Sequence, residues 1–217
     1  ACAVRDIKKR VNADFKKAIT LILECKGRVV VTGVGKTGII GQKFSATLSS
    51  TGTPSLFLHS AEAIHGDLGR VTKEDVVIML SYSGESEEMK KLLPVLKKIG
   101  CATISVTGNI RSAMARYSDV RLDASVVKEA CPLGLAPTAS TTAMLALTDA
   151  LAVCLLKLKG FKEKDFALFH PGGSLGRKLL LTVADIMRRG QSNPVVACDT
   201  RISEVLMKIT SSRAGSA

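Results

Sequence analysis

Five short apolar runs recur along the chain, and their spacing constrains the fold more than any other feature. They occupy residues 28–32, 55–58, 75–80, 102–106 and 119–122. Runs of this length that are rich in valine, isoleucine and leucine are typical of buried strands. Segments of helical length and pattern, such as 37–50 and 86–99, lie between them. The alternation predicts an α/β fold of three layers, in which helices cover both faces of a five-stranded parallel sheet.

Two further segments have the pattern of helices. Residues 3–25 place apolar side chains at intervals of three and four, which predicts a single amphipathic helix. Residues 139–159 form a long apolar segment that begins just after Pro137. Because a proline often marks a helix start, we expect this segment to be a helix that packs on the sheet.

The character of the sequence changes after residue 183. A short apolar turn is followed by a polar stretch and then by a helical fragment at 202–209. A change of this kind marks a linker between domains. We therefore predict one main domain over 1–183, followed at 184–217 by a linker and the truncated start of a second domain.

The composition narrows the class of partner. The formal net charge is +12, but lysine and arginine are spread along the whole chain and aromatic residues make up only 4% of it. A nucleic-acid surface would need clustered basic residues and stacking aromatic rings, so we predict no nucleic-acid binding. A phosphorylated metabolite is an equally good anionic partner for such a charge, while solvated basic faces account for most of it.

The sequence predicts neither a membrane segment nor an oxidising compartment. The apolar run at 144–156 contains Thr148 and Asp149 and is shorter than the ~20 residues of a spanning helix. The first ten residues lack the apolar segment of a secretory signal. The six cysteines are scattered singly, without a CxxC pair or a histidine at zinc-ligand spacing. We expect reduced thiols, no metal site and a cytoplasmic location.

The segment 33–38 reads GVGKTG, which has the GxGxxG spacing of dinucleotide-binding folds. The acidic residue that such folds place about 20 residues later is missing, since the second apolar run ends in Phe-Leu-His at 57–59. A nucleotide-hydrolysing loop is excluded as well, because Val30 stands where that loop needs glycine. What remains is a tight strand-to-helix turn with Lys36 at the mouth of the sheet, either as a ligand contact or as an ordinary solvated lysine.

The segment 80–86 reads LSYSGES and joins the third apolar run to a helix. The hydroxyls of Ser81, Ser83 and Ser86 would converge there with the free N–H groups of a helix N-terminus. Gly84 would let the backbone approach a ligand closely. This is the pattern of a phosphate cradle. An ordinary helix cap is the alternative, but it needs one serine and accounts for neither the other two nor the glycine.

The serine loop, coming after the glycine turn, resembles the phosphosugar loop of SIS (sugar isomerase) domains. Four further stretches narrow the resemblance: TGTPS at 51–55, AEAIHGDLG at 61–69, KEACPLGLAPT at 128–138 and FHPGGSLGRK at 169–178. With them the chain is similar to the arabinose 5-phosphate isomerases over residues 3–187. That family more often carries asparagine where this sequence has Tyr82. Its members continue into a pair of CBS modules, and the segment from Ala184 resembles the start of the first.

The resemblance implies a set of site residues. It places Lys36, Glu88, Glu129 and His170 in the active site, and Gly35, His65, Ser81, Ser83, Gly84 and Ser86 at the substrate. Glu129 would move a proton between adjacent carbons, and Lys36 would lie near substrate oxygens. His170, with His65 as a second candidate, would open the sugar ring and protonate oxygen. The resemblance also implies a homotetramer whose sites are completed across subunits, and an enediol reaction that requires no cofactor.

Each of these roles has a plainer alternative. Glu88 falls in a first helical turn, where the helix dipole favours any carboxylate. Glu129 could be a salt-bridge partner within a loop, and His170 could be a turn residue. His65 lies three residues after Glu62 and could simply pair with it.

Two rival functions stay open. One is an isomerase of a different sugar phosphate, such as a ketoheptose or hexosamine phosphate. The other is a non-catalytic phosphosugar sensor, which would keep the serine loop but would need neither Glu129 nor His170, and would carry a helix-turn-helix before the sheet.

Overall fold

The computed structural model describes residues 1–216, apart from the side chains of residues 174, 175, 180 and 191. The chain divides into two compact units, Ala1–Phe166 and a second that starts at Ala167. The sequence analysis placed a domain boundary at 183/184 instead. The assignment of residues 184–217 to the start of a second domain therefore stays a prediction.

A five-stranded sheet forms the centre of the first unit. Its strands are β1 (Val29–Gly33), β2 (Ser55–His59), β3 (Val76–Leu80), β4 (Ala102–Thr107) and β5 (Val120–Asp123). They lie in the order β2-β1-β3-β4-β5, and every neighbouring pair is parallel. The predicted α/β fold with a five-stranded parallel sheet is confirmed, and the strand ends lie within one residue of the predicted ones.

Helices cover both faces of this sheet. Those of the first unit are α1 (Cys2–Ile7), α2 (Ala13–Glu24), α3 (Gly35–Ser50), α4 (Ser60–Ala63), α5 (Glu87–Ile99), α6 (Ala113–Tyr117) and α7 (Ala139–Leu158), with single 3-10 turns at Lys8–Arg10 and Asp67–Arg70. Helix α8 (Glu163–Phe169) crosses the boundary between the units. The helices predicted from the patterns at 37–50, 86–99 and 139–159 correspond to α3, α5 and α7.

The prediction of one continuous helix over 3–25 is wrong, because the chain breaks at Val11 and Asn12 between α1 and α2. Asn12 has an extended backbone, and its Oδ1 accepts the N–H of Asp14 at 2.9 Å and the N–H of Phe15 at 3.4 Å. An asparagine in this position starts a helix by satisfying N–H groups that have no partner within it. The apolar period runs across the break because both helices face the same core, which contains Ile7 and Phe15.

The sheet separates two apolar cores, because successive side chains of a strand point to opposite faces. In β3, Ile78 faces the first core and Met79 faces the second. Phe44 of α3 and Met144 of α7 belong to the first core, and Met89 of α5 belongs to the second. Burial on both faces explains why the strands read as nearly continuous apolar runs.

Among the described residues, α7 is the one helix long and apolar enough, by length and composition, to cross a membrane. Its buried side chains include Met144, Leu147 and Leu151, and all three belong to the first core. The helix also packs along α3. This is the behaviour of a core helix and agrees with the predicted packing of this segment on the sheet.

The second unit contains short helices. They are α9 (Ser174–Leu180), α10 (Val183–Ile186) and α11 (Ile202–Ser211), with a 3-10 turn at Gly190–Ser192. Arg188 donates to the carbonyl oxygens of Ser212 and Arg213, each at 2.6 Å, and so ties the residues after α11 to those after α10. The helix predicted over 202–209 is confirmed as α11.

Two carboxylates, one buried at Asp75 and one exposed at Asp119, fix the amino ends of the strands. Asp75, which is 3% exposed, precedes β3. Its Oδ1 accepts the N–H of Arg28 at 2.6 Å, and its Oδ2 accepts the N–H of Thr72 at 2.7 Å. Asp119 precedes β5 and accepts both the N–H and the hydroxyl of Thr103 at 2.8 Å. The Asp75 carboxylate therefore links the start of β3 to the residue before β1, and the Asp119 carboxylate links the start of β5 to β4.

We expect Asp75→Ala to lower the free energy of unfolding by about 2 kcal/mol, because hydrogen bonds to a carboxylate are lost and their donors are left unpaired. Urea unfolding at neutral pH, followed by circular dichroism, measures this change. Glu74→Ala removes the neighbouring exposed carboxylate and is the matched control; it should change the free energy by less than about 0.5 kcal/mol. Equal destabilisation by the two variants would contradict the role given to Asp75.

Candidate active site

Several of the candidate residues lie around a crevice between the carboxyl ends of β1 and β3. These strands are neighbours, with Gly33 beside Leu80. The chain leaves them on opposite faces, since α3 packs in the first core and α5 packs in the second. In parallel sheets, this divergence opens a crevice at the carboxyl edge where ligands bind. The glycine turn and the serine loop lie on its two sides.

The glycine turn after β1 lets α3 approach the strand closely. A Cβ on Gly33 would lie 3.1 Å from the Cα of Gly38 and 3.2 Å from the carbonyl oxygen of Leu80. Gly35 has φ +57°, a left-handed conformation that other residues rarely adopt. Lys36 follows in the first turn of α3 and is exposed. Helix packing and turn geometry thus account for these glycines, and they place the lysine side chain at the crevice.

The serines of the loop after β3 have different surroundings. Ser81 is buried, and its Oγ accepts the N–H of Gly84 at 3.1 Å. Ser83 is exposed, and its Oγ accepts the N–H of Glu85 at 3.2 Å. Ser86 occupies the N-cap position of α5 but makes no side-chain capping bond, and its Oγ lies 3.4 Å from Ser81 Oγ. An ordinary helix cap therefore does not account for Ser86.

Gly84 has a structural reason to be glycine. Its φ is +66°, and a Cβ there would lie 2.1 Å from Ser112 Oγ and 3.0 Å from Thr107 Oγ1. The close approach that the sequence suggested is therefore made to the protein's own α6 and β4. A contact between Gly84 and substrate stays a prediction.

Glu129 lies in the loop between β5 and α7 and holds the N-terminus of α7. Its Oε2 accepts the N–H of Thr138 at 2.8 Å, the Thr138 hydroxyl at 3.0 Å and the N–H of Ser140 at 3.2 Å. The first N–H groups of a helix have no acceptor within it. The Glu129 carboxylate is that acceptor, although it lies nine residues before Thr138 in the sequence. Its hydrogen bonds therefore hold the loop against the start of the helix.

Opposing effects set the pKa of Glu129. Burial raises it, but hydrogen bonding by Ser140 and Thr138 outweighs burial and lowers the pKa to about 2. The Ser140 hydroxyl contributes to the lowering although its buried Oγ has no partner at full hydrogen-bond geometry. Glu129 is therefore a carboxylate at neutral pH and a weak base in the unliganded protein.

A cleft of about 420 Å³ lies at this edge of the sheet. Its lining includes Lys36, Thr37, Tyr82, Glu129, Leu135 and Ser140. The fold thus brings an ammonium group from the glycine turn and a carboxylate from the β5–α7 loop to one cleft, beside the serine loop. Ser140 adds a hydroxyl that is 1% exposed and unpartnered.

Of the ten predicted site residues, Lys36 and Glu129 line this cleft. Gly35 and the serine-loop residues Ser81, Ser83, Gly84 and Ser86 lie outside the lining but in the same turn or loop as lining residues.

Glu88, His65 and His170 lie outside it as well. Glu88 is half-buried in the first turn of α5. His65 is exposed just after α4, and its N–H donates to the Glu62 carbonyl at 2.9 Å. His170 belongs to the second unit, where it lies between α8 and α9 and donates its N–H to the Ala167 carbonyl at 3.1 Å. Their predicted roles stay predictions.

The sequence analysis did not assign Ser140 or Thr37 to the site. From the sequence, Ser140 is simply one of the first residues of the helix predicted over 139–159. The signal that could have found it is its distance of eleven residues from Glu129, with a loop of Pro and Gly between them that can fold back on itself. This spacing alone does not identify Ser140. It does so only once the structure shows that Glu129 accepts the N–H groups at the start of α7.

The chain is similar to known proteins over most of its length. A family profile described as SIS domain matches residues 22–154. The arabinose 5-phosphate isomerase KdsD of Pseudomonas aeruginosa is 54% identical over 208 residues, which cover 96% of this chain and 64% of that protein. KdsD of Escherichia coli K12 is 53% identical over 210 residues, which cover 97% and 64%. The chain thus spans 64% of the length of these curated relatives.

A solved structure is similar as well. It is that of an Escherichia coli CFT073 protein in complex with arabinose 5-phosphate, which superposes with a TM-score of 0.74 at 45% identity. The superposition covers 78% of this chain and 92% of that one.

We expect Glu129 to stabilise the protein at neutral pH more than in acid. Its pKa of about 2 in the folded protein lies below the ordinary 4.5, so its contribution is complete above about pH 5 and is lost as the pH falls toward 2. Glu129→Gln should therefore lower the urea midpoint clearly at neutral pH and much less at about pH 3.

The matched control is Glu24→Gln at the exposed end of α2, which should leave the midpoint unchanged at both pH values. A deficit of the Glu129→Gln variant that is the same at both pH values would show that its carboxylate charge is not what stabilises α7.

Proposed function

Because this chain belongs to the SIS domain family, we propose that it is an aldose–ketose isomerase that interconverts D-ribulose 5-phosphate and D-arabinose 5-phosphate. The relatives that carry this activity in their names, and the related structure that holds arabinose 5-phosphate, support the choice of substrate. The product would supply the synthesis of an octulosonate sugar.

One structural observation carries the proposal. Lys36 in the first turn of α3 and Glu129 in the β5–α7 loop line a single cleft beside the serine loop that precedes α5. A phosphate group on Ser81, Ser83 and Ser86 would meet the N–H groups and the positive dipole end of this helix. The sugar carbons would then extend into the cleft toward the carboxylate.

The chemistry that such a cleft supports is a proton transfer between adjacent carbons. With the sugar ring open, a base removes the proton from C2 of the aldose, and the negative charge moves to the carbonyl oxygen at C1 to give an enediolate. The proton returns at C1, while a proton passes from the oxygen on C2 to the oxygen on C1. Glu129 is the proposed base, and the Lys36 ammonium stabilises the charge on oxygen.

Three further residues complete the proposal. His170 opens the ring and moves protons between oxygens, and His65 is the second candidate for that task. Glu88, in the first turn of α5, is the alternative base. No metal or other cofactor has a step in this mechanism, and the residues that the structure describes contain no cluster of three His, Cys, Asp or Glu side chains suited to a metal.

We also propose that four copies assemble, with each site completed by a neighbouring subunit. Exposed apolar side chains on the two segments that line the cleft support this, since Ile39 of α3 is 67% exposed, and Leu133 and Leu135 of the β5–α7 loop are 79% and 81% exposed. Large apolar side chains that are exposed beside a site are compatible with a surface that another subunit covers. The cytoplasm is the proposed location, in keeping with the free thiols of all six cysteines. Residues 1–183 would be the SIS domain and 184–217 the start of a CBS module.

The direct test is to incubate the purified protein with arabinose 5-phosphate and to measure ribulose 5-phosphate. Ketoheptose and hexosamine phosphates in parallel reactions decide between substrates. Binding of these sugars without any turnover would favour the sensor over the isomerase.

We expect Ser83→Ala to raise KM by roughly 10-fold, because a hydrogen bond to a charged phosphate is lost. The change in kcat should be smaller than about 2-fold, since phosphate contacts are alike in the ground and transition states. Ser211→Ala, at the exposed end of α11, is the matched control. An unchanged KM for the Ser83 variant would remove this serine from the phosphate site.

The identity of the base is tested by Glu129→Gln and Glu88→Gln, which keep side-chain shape but cannot accept a proton. We expect Glu129→Gln to lower kcat by about 100-fold to 10,000-fold. The hydrogen bonds that hold the Glu129 carboxylate reduce its strength as a base, which is why Glu88 needs the same measurement. Near-native turnover by Glu129→Gln together with loss of turnover by Glu88→Gln would move the base to Glu88.

A further inference from the structure

Tyr82 lies in the serine loop, and its backbone is fastened to the end of β4. Its carbonyl oxygen accepts the N–H of Gly108 at 2.9 Å and the hydroxyl of Thr107 at 3.1 Å. The ring lies against the bare backbone of Gly108, where a Cβ would come within 2.4 Å of Cε2 and 2.7 Å of Cδ2 and Cζ. The ring therefore fills space that exists because residue 108 has no side chain.

The phenol oxygen of Tyr82 reaches the segment that follows β5. Its Oη accepts the N–H of Val126 at 3.2 Å. The Tyr82 side chain begins just after β3 and passes the end of β4 at Gly108. Its hydroxyl oxygen then binds the backbone after β5. The same ring also lines the cleft that contains Glu129.

Val126 is an anchor for Glu129. Within the described residues, its N–H is the last backbone donor before Glu129 that has an acceptor. Val127, which follows, is 90% exposed, and Lys128 is exposed too. Three residues span at most roughly 10 Å, so the position of Val126 limits where the Glu129 carboxylate can lie.

We propose that Tyr82 is a positioning residue that holds the Glu129 loop, residues 124–138, in place relative to the serine loop. An anion bound at the serine loop would then steady the backbone that carries Glu129. This inference rests on the proposed function, because Tyr82 acts on the reaction through Glu129. Hydrogen exchange tests the mechanical link without any turnover.

Two variants break the link in different ways. Tyr82→Phe keeps the ring and removes the oxygen that accepts the Val126 N–H. Gly108→Ala keeps that oxygen and displaces the ring, since the new methyl would overlap it. Tyr117→Phe is the matched control, because Tyr117 is 52% exposed on α6 and contacts Lys97 instead.

Exchange of the Val126 amide is measured by NMR with and without inorganic phosphate. We expect phosphate to slow this exchange in the unaltered protein. In Tyr82→Phe and Gly108→Ala, exchange without phosphate should be roughly 5-fold faster, as expected for one lost neutral hydrogen bond, and the phosphate effect should disappear. Val126 exchange at the rate of the Tyr117→Phe control in both variants would overturn the proposal.

The kinetic readout is kcat and KM for arabinose 5-phosphate. We expect both variants to lower kcat by roughly 5-fold with KM nearly unchanged, because the base is displaced while the phosphate site is kept. A rise in KM with kcat unchanged would instead make Tyr82 a direct substrate contact and overturn the positioning role. If the unaltered protein turns over no sugar phosphate, the proposed function fails, and the exchange experiment still decides whether Tyr82 holds the loop.

Discussion

The parallel pairing of β1 with β3 is the constraint on which the rest of the structure depends. The helices that follow these two strands pack in different cores, so the chain must diverge at their carboxyl ends. The divergence leaves a crevice, and the segments after β1 and β3 form two of its walls. The loop after β5 reaches the same edge because all five strands run in one direction. Lys36, Tyr82 and Glu129 meet there for this topological reason.

The observed structural role of Glu129 opposes its proposed role as the base. Helix α7 is a central part of the first core, and its first N–H groups need an acceptor. The carboxylate provides one, and the same hydrogen bonds hold its pKa far below that of an efficient general base.

The sheet could be predicted from the sequence, but the cleft could be predicted only in part, and both outcomes have physical reasons. A strand buried on both faces must be apolar along its length, so runs such as 75–80 identify it locally. The break at Asn12 was missed because one core receives both helices and keeps the apolar period intact. Motifs and family resemblance could point to Lys36 and Glu129. The proposed role of Tyr82 depends on a contact with Val126, which is 44 residues away in the sequence. No local sequence pattern predicts such a contact.

The carboxylates Asp75 and Asp119 lie at the amino edge of the sheet, and the cleft lies at the opposite edge. Strand pairing is thus secured away from the cleft, through bonds to backbone N–H groups that every residue except proline carries. Mutations in the loops at the carboxyl edge leave these bonds in place, although a change at Glu129 also affects the start of α7. For a lineage, this separation means that a loop can change its ligand while the pairing of the strands at the opposite edge is kept.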